Sequence, residues 1–312
     1  MTASVGVEDI GPRYEFLGCA IVLITVGLCC DRNCILPALV TLTSLAASIA
    51  QRERSTVGVS LILADVTRTE GESVAAVVGR LGYSSCTVVR AHAPALPIIN
   101  GRYISRATWL RFRFSSTIVP SPFFCYLDTD TLVLDDPTEP FEAISAGGVA
   151  LVRDAFNHSV GAGPALPGLA DDRSEFIGRP YFNAGAIWLS SDRLTGLTAG
   201  SLAAFHHGRR FMHFNDQDAL NLHLLQAGSA TEISAEYNQF EYGRSLQRGD
   251  WVRRVVNDTS HGSPRILHFV GPDKPWLRSC PRVEWVRVYR VVLAEACRQI
   301  RRAGALTLER MP

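Results

Sequence analysis

Phe123-Phe124-Cys125-Tyr126-Leu127-Asp128-Thr129-Asp130-Thr131-Leu132-Val133-Leu134 is the stretch whose reading decides the fold. An apolar run ends in two aspartates one residue apart, and a second apolar run follows. The first run reads as a buried strand of a mostly parallel sheet, where strands are near-continuous hydrophobic segments. Asp128 and Asp130 then fall at its carboxyl end, where open α/β sheets place their ligands. Residues i and i+2 of an extended segment point to the same side, so the two carboxylates repel each other unless a hard divalent cation lies between them. Mg²⁺ or Mn²⁺ takes one or two carboxylates and completes its shell with substrate phosphates. An isolated Asp-x-Asp can also open a polar turn, and the buried strand before it argues for the metal.

Working outward, the 312 residues suit one large α/β domain with a small appendage, and the 47% hydrophobic content can fill its core. A net charge of +1 leaves no basic excess to neutralise phosphates, which argues against nucleic acid as a partner. Eight cysteines are scattered without a Cys-x-x-Cys pair. Several lie in apolar runs, which favours a reducing, cytoplasmic compartment over a disulfide framework. Lys274 is the only lysine, so its position is informative.

Residues 1–15 read as a polar extension without the features of a signal peptide. The apolar run Phe16–Cys30 is shorter than the about 20 residues of a spanning helix and reads as a first strand over Ala20–Cys29. Alternation of strand and helix follows: a buried helix over Cys34–Arg52, a strand over Thr56–Ala64 ending at Asp65, an amphipathic helix over Glu70–Leu81 and a strand over Cys86–Arg90. This order predicts a parallel sheet with helices on both faces. A helix over Ile104–Thr117 carries Arg106, Arg111 and Arg113 into the Asp-Thr-Asp strand. Beyond it come a short helix over Glu139–Ser145, a strand over Gly148–Arg153, and a mobile surface segment over 154–178. Pro180–Leu189 runs from loop into strand, a helix spans Asp192–His206, and another starts with Asn215 or Asp216 as its N-cap. Glu284–Arg302 closes the chain as a helix rich in arginine. Docking on the core is favoured for it over peripheral contact with an anionic membrane. His206, His207, His213 and His223 match no metal-ligand spacing.

Taken in order, these motifs resemble glycosyltransferase family 8, the retaining enzymes of the GT-A fold. The likeness runs from about residue 20 to about 277. It rests on Asp31 and Asn33 after the first strand, Ser105–Phe112, Tyr126–Asp130, Phe182-Asn183-Ala184-Gly185, Asp216–Asn221, and His268-Phe269-Val270-Gly271-Pro272-Asp273-Lys274-Pro275-Trp276. The resemblance implies a Rossmann-like, mostly parallel sheet flanked by helices over 16–278, with a helical extension over 279–312. It implies that Asp128, Asp130 and His268 bind one Mn²⁺ or Mg²⁺, and that Lys274, with Gly271 beside it, serves the diphosphate of a nucleotide sugar. Arg111 would reach the donor sugar or its phosphate, and Asp31 and Asn33 would read the base and ribose. Asp65 is a further nucleotide-side candidate or a turn cap. Asn183, Asp216 and Gln217 would line the transferred sugar, with Gln217 near the anomeric carbon. Asp218 reads as a structural or capping acid. Cys34 departs from the pattern, since it stands where the family stacks an aromatic residue on the base.

The expected function is transfer of a hexose from UDP-glucose or UDP-galactose, with retention, to an acceptor held by variable loops over 154–178 and 234–262. The alternatives are a catalytically silent nucleotide-sugar-binding or scaffold protein and a metal-dependent nucleotidyltransferase.

Overall fold

The computed structural model describes residues 13–17, 22–99, 104–144, 148–241, 263–280, 283–305 and 307–308. Its main sheet has eight strands: β1 (Arg13–Leu17), β2 (Ile24–Asp31), β3 (Val57–Ala64), β4 (Ser85–Ala91), β5 (Phe123–Leu127), β7 (Val149–Arg153), β8 (Phe182–Ser190) and β9 (Ala230–Ile233). They lie in the order β1-β4-β3-β2-β5-β8-β7-β9. Strands β2, β3, β4 and β5 are parallel, while β8 runs against β5 and β7, and β1 runs against β4. A small second sheet pairs β6 (Thr131–Val133), β10 (Gln239–Phe240) and β11 (Ile266–His268) in the order β10-β11-β6.

The central strands are apolar on both faces because both faces are covered. Val59, Leu61 and Leu63 of β3 pack with Leu39, Leu42 and Leu45 of helix α1 (Ile35–Ser48) and with Val74, Val77 and Val78 of α2 (Arg68–Gly79). Ile62 and Ala64 of the same strand join Trp109, Phe112, Phe124 and Tyr126 on the other face. That face is closed by α3 (Leu194–Gly208) and α4 (Asn215–Ala227), which supply Phe205 and Leu220. Helix α5 (Glu284–Arg302) buries Val286, Tyr289 and Ala296 against Val40, Leu132, Leu267 and Phe269, the core docking expected for it.

Several expectations need correction. The first strand begins at Ile24 and extends to Asp31, and a strand not foreseen, β1, pairs along β4 across the expected start of the domain at residue 16. Residues 18–21, with part of the strand expected over Ala20–Cys29, lie outside the described residues. The helix expected over Ile104–Thr117 is a tight 3-10 segment, Arg106–Arg113, with Phe112 off helical values at φ −87° and ψ 16°. Four of its five buried residues, Trp109, Leu110, Arg111 and Phe112, are consecutive, so nearly every side of this short segment faces protein and packing overrides helical period. Helix α4 starts differently too. Asn215 sits at φ +53° and is no cap, because its Oδ1 accepts the backbone N–H of Ile99 (2.6 Å). Asp218 instead ties down the approach to the helix, its Oδ2 accepting the N–H groups of His213 (2.5 Å) and Phe214 (2.6 Å). The segment 154–178 is no loose surface loop. It buries Val160, Ala165, Leu166 and Leu169 in the core and is tied down by a bridge from Ser159 to Pro180 and by the Arg210–Asp172 ion pair.

Candidate active site

Strand direction gathers the functional side chains at one end of the sheet. Asp31 ends β2, Asp128 and Asp130 follow β5, and Asn183 opens the antiparallel β8, so all four reach the same edge. The Asp128-Thr129-Asp130 turn is pinned on every side. The Thr41 hydroxyl on α1 donates to the carbonyls of Thr129 (3.1 Å) and Thr131 (2.8 Å). Asp128 N–H donates to Gly185 O (2.8 Å), and Phe269 N–H donates to Asp130 O (2.9 Å). Carbonyl bonds therefore fix the backbone and leave the two carboxylates to converge. Strand β11 pairs with β6 and ends at His268 opposite Thr131. Its Nε2 lies 3.2 Å from Asp130 Oδ1 and 3.8 Å from Asp128 Oδ2. Ligand atoms of these three residues all lie within 4.8 Å of one another.

An unforeseen residue orients the imidazole. His268 Nδ1 is 2.9 Å from Asn238 Oδ1, and Asn238 Nδ2 donates in turn to Asn183 Oδ1 (2.8 Å). Asn183 Oδ1 also accepts Gly185 N–H (2.8 Å). With the Asn238 carbonyl oxygen facing Nδ1, the proton belongs there and the lone pair belongs on Nε2, aimed at the carboxylates. Gly185 makes room for this arrangement. A Cβ there would overlap His268 Cε1 and lie 2.7 Å from Nδ1 and 3.0 Å from Asn183 Oδ1. Gly185→Ala is thus expected to turn the ring away and, with Mn²⁺ as the probe ion, to weaken any binding at this cluster by about tenfold or more. Electron paramagnetic resonance of the bound ion checks this, and wild-type affinity would refute the packing argument.

Two cations hold the acids in place. Lys274 Nζ donates to Asp130 Oδ2 and to Phe269 O (2.8 Å). Burial would raise the pKa of Asp130, but the Lys274 ammonium, the strongest opposing influence, works to hold the carboxyl well below the usual range. Arg111 is buried beneath the other carboxylate. It donates from Nη2 to Asp128 Oδ1 (2.9 Å), from Nε to Asp216 Oδ2 (2.8 Å) and from Nη1 to Ala184 O (2.5 Å), and its guanidinium lies 4.7 Å over the Tyr126 ring. Further bonds run to the carbonyl and hydroxyl of Thr108 (both 3.2 Å). Burial would lower the pKa of Arg111, and Asp128 and Asp216 override it and keep it charged. The donors of Arg111 are therefore directed at protein atoms, contrary to the expectation that it reaches a donor.

Beside this pair lies a cluster of amides and acids. Gln217 Oε1 accepts from Asn183 Nδ2 (2.9 Å) and Ala184 N–H (3.1 Å), while its Nε2 donates to Asp154 Oδ2 (3.1 Å). Asp154 was not singled out in the sequence, yet it is buried and also accepts from Phe156 and Asn157 N–H. Asp218 accepts the Tyr181 hydroxyl (2.6 Å) away from the cluster, the structural role expected for it.

All these groups except Asn238 and Asp218 line a cleft of about 930 Å³ or sit just behind its wall. Asp31 and Cys34 are among its lining residues, as are Phe156, Pro164 and Phe240. Burial and the nearby Asp31 and Asp130 push the Cys34 thiol up to about 12, so it stays protonated. Asn33 is exposed and Asp65, at φ +54°, pairs with His92 (3.1 Å); neither is among the lining residues. None of the four tempting histidines joins a ligand cluster among the described residues. Of the acceptor region expected over 234–262, residues 242–262 lie outside the described residues. Among those described, no helix is long and apolar enough to cross a membrane.

Comparison with known proteins gives a consistent assignment. The family model "Glycosyl transferase family 8" matches residues 25–280. A protein of Arabidopsis thaliana named probable galacturonosyltransferase-like 8 is 27% identical over 164 residues, covering 49% of this chain and 39% of that protein. The chain thus spans about two-fifths of the length of this curated relative. Among solved structures, galactosyltransferase LgtC in complex with donor and acceptor sugar analogs superposes with a TM-score of 0.67 at 19% identity, covering 87% of this chain and 95% of that one. The glycosyltransferase GlyE of Streptococcus pneumoniae gives 0.61 at 17% identity, covering 91% and 64%. The architecture is that of the GT-A glycosyltransferases.

Proposed function

The chain belongs to glycosyl transferase family 8, and from that premise we propose that it moves a neutral hexose, from UDP-glucose or UDP-galactose, onto an acceptor hydroxyl with retained anomeric configuration. The observation that carries the reading is the convergence of Asp128, Asp130 and His268 beside the lone lysine at the ligand-binding edge of the sheet. Two carboxylates and an imidazole with its Nε2 turned inward suit Mn²⁺ or Mg²⁺, the imidazole favouring Mn²⁺. When bound, such an ion acts as a Lewis acid toward the departing diphosphate. Lys274 adds a point charge for the same phosphates, with Gly271, at φ +84°, allowing close backbone approach. Asp31 lies toward the base and ribose, and Asn33, being exposed, is the weaker partner there.

Asp216, Asn183 and Gln217 receive the sugar in this reading. The preference for a neutral hexose, over the uronic acid in the plant relative's name, rests on charge. The sugar end holds Asp154 and Asp216, and Arg111 already donates to protein acceptors. A sugar carboxylate would meet two like charges without a free cation among the described residues. Gln217 is a poor nucleophile here, because its Oε1 already accepts two hydrogen bonds. This supports attack on the face the leaving group departs from. The bond from the anomeric carbon to the phosphate oxygen breaks, the bond to the acceptor oxygen forms, and the acceptor proton passes to the leaving phosphate. The acceptor enters past Phe156, Pro164 and Phe240.

Calorimetric titration with UDP, GDP and ADP, each with Mn²⁺ and with EDTA, tests the reading. Binding of UDP that requires Mn²⁺ is the expected result, and no binding of any nucleotide would overturn it. Lys274→Ala is expected to weaken that binding about tenfold, the scale of one charge-assisted hydrogen bond. Unchanged affinity would return Lys274 to a structural role at Asp130.

A further inference from the structure

The wall of the cleft that carries Gly271, Lys274, Trp276 and Leu277 is a loop without ladder pairing. Its backbone bonds are short-range turns, Lys274 N–H to Pro272 O (3.0 Å), Leu277 N–H to Lys274 O (2.9 Å) and Cys280 N–H to Leu277 O (3.1 Å). Such turns leave carbonyls unpaired and permit the loop to shift as a unit. Helix α5 supplies what the loop lacks. Arg290 donates from Nε to Pro275 O (3.2 Å) and from Nη2 to Leu277 O (3.1 Å) and Cys280 O (3.4 Å). One guanidinium thus covers three carbonyls of the loop, and no carboxylate lies within ion-pair distance of it among the described residues. The preceding residue on the helix, Tyr289, is fully buried and packs its ring on Trp276 (6.0 Å) and on Phe269 (5.3 Å). A planar fork of fixed donors suits this task in a way a flexible ammonium does not.

Resting on the donor reading above, we infer that Arg290 is a positioning residue for the donor diphosphate, acting through the loop that presents Lys274. The helix that carries it lies beyond residue 280, outside the stretch matched to the family. The segment that completes the phosphate site in this scheme is therefore one the family model does not cover. Arg290 never touches the substrate in this scheme. It fixes the backbone on both sides of Trp276, and through it the height at which the lysine ammonium meets the cleft.

The test compares Arg290→Ala, Arg290→Lys and a control, Arg298→Ala, in the full chain. Arg298 is exposed on the same helix and, among the described residues, pairs only with Glu295, so the control removes the same charge without touching the loop. Each protein is titrated with Mn²⁺ and whichever of UDP, GDP or ADP the wild type binds best. Arg290→Ala is expected to bind the nucleoside diphosphate about tenfold more weakly, with faster amide exchange over 271–277. Mn²⁺ binding without nucleotide, read by paramagnetic resonance, stays at the wild-type level. Arg290→Lys recovers little, since one ammonium cannot cover three carbonyls. Equal affinity in Arg290→Ala and Arg298→Ala overturns the positioning role while leaving the donor reading intact. A wild type that binds no nucleoside diphosphate overturns the donor reading itself, and the positioning role falls with it.

Discussion

Asp130→Asn is expected to lower metal-dependent sugar transfer by at least about a hundredfold while the chain still folds. The carboxylate stands between Lys274 and His268 at 3.2 Å from the imidazole, and it is one of only three ligand-type groups converging there among the described residues. An amide keeps its size but removes the anionic oxygen that a hard cation requires. Lewis-acid stabilisation of a leaving diphosphate is worth several kcal/mol, and about 2.7 kcal/mol corresponds to a hundredfold in rate. Folding survives because the turn is held by backbone bonds from Thr41, Gly185 and Phe269, none of which uses the substituted side chain. A modest loss of stability accompanies the change. The folded-state pKa of Asp130 is depressed, so its ionised form stabilises the fold above the unfolded value, and that contribution disappears as pH falls through the folded value. The asparagine variant lacks it, and the gap from wild type therefore narrows in acid. Donor turnover, Mn²⁺ resonance and thermal melting measure the three effects. Transfer within tenfold of wild type would remove Asp130 from the metal site.

The strand-helix order and the place of the site were legible because each follows from a local signal. Apolar runs that end in Asp31 and in Asp128 mark strand ends at the sheet edge, whereas the stretch from His268 to Trp276 could be placed beside them only through its resemblance to glycosyltransferase family 8. What escaped depends on contacts remote in sequence. Asp154 follows a strand and opens a Gly- and Pro-rich segment, a context that ordinarily means a solvated acid; it is buried with partners that include Asn183 and Gln217, the latter 63 residues away. Asn238 has no signature of its own and acquires its role from His268, 30 residues on. Thr41 reads as a polar interruption of a buried helix until the Asp-x-Asp turn is packed against it. The edge strand β1 is short and partly charged, and pairing with β4 supplies what its sequence does not.

Arg111 was legible as a site residue but not as to what it holds, and its replacement is the second large effect expected. Arg111→Met should cost about 3–5 kcal/mol, the usual result of removing one partner from a buried charge pair. Its side chain is 5% exposed and that of Asp216 is 7% exposed, so water cannot replace the lost bonds. Without the guanidinium, Asp216 keeps the Thr108 hydroxyl but has no cation among the described residues, and Asp128 Oδ1 loses one of its two donors and keeps the Tyr126 hydroxyl. Against the total stability of 5–15 kcal/mol typical of a domain, the loss is large enough to read as a lower melting temperature. Arg111→Lys recovers little, because a point charge cannot reach Asp128, Asp216 and Ala184 together. The pH dependence has a definite sign. A buried carboxyl without its cation has a folded pKa raised above the unfolded one, so it favours folding at low pH and disfavours it as pH rises through the raised value. Arg111→Met should therefore close part of its gap from wild type on acidification, and Asp216→Asn in the same chain should restore part of the loss at neutral pH. Thermal melts of the single and double variants between pH 5 and pH 8 distinguish the two roles available to this arginine. A variant that melts with the wild type at every pH but binds the donor weakly would make Arg111 a substrate contact. One that melts lower at neutral pH and recovers with Asp216→Asn would make it the fixed support on which both carboxylates are aimed.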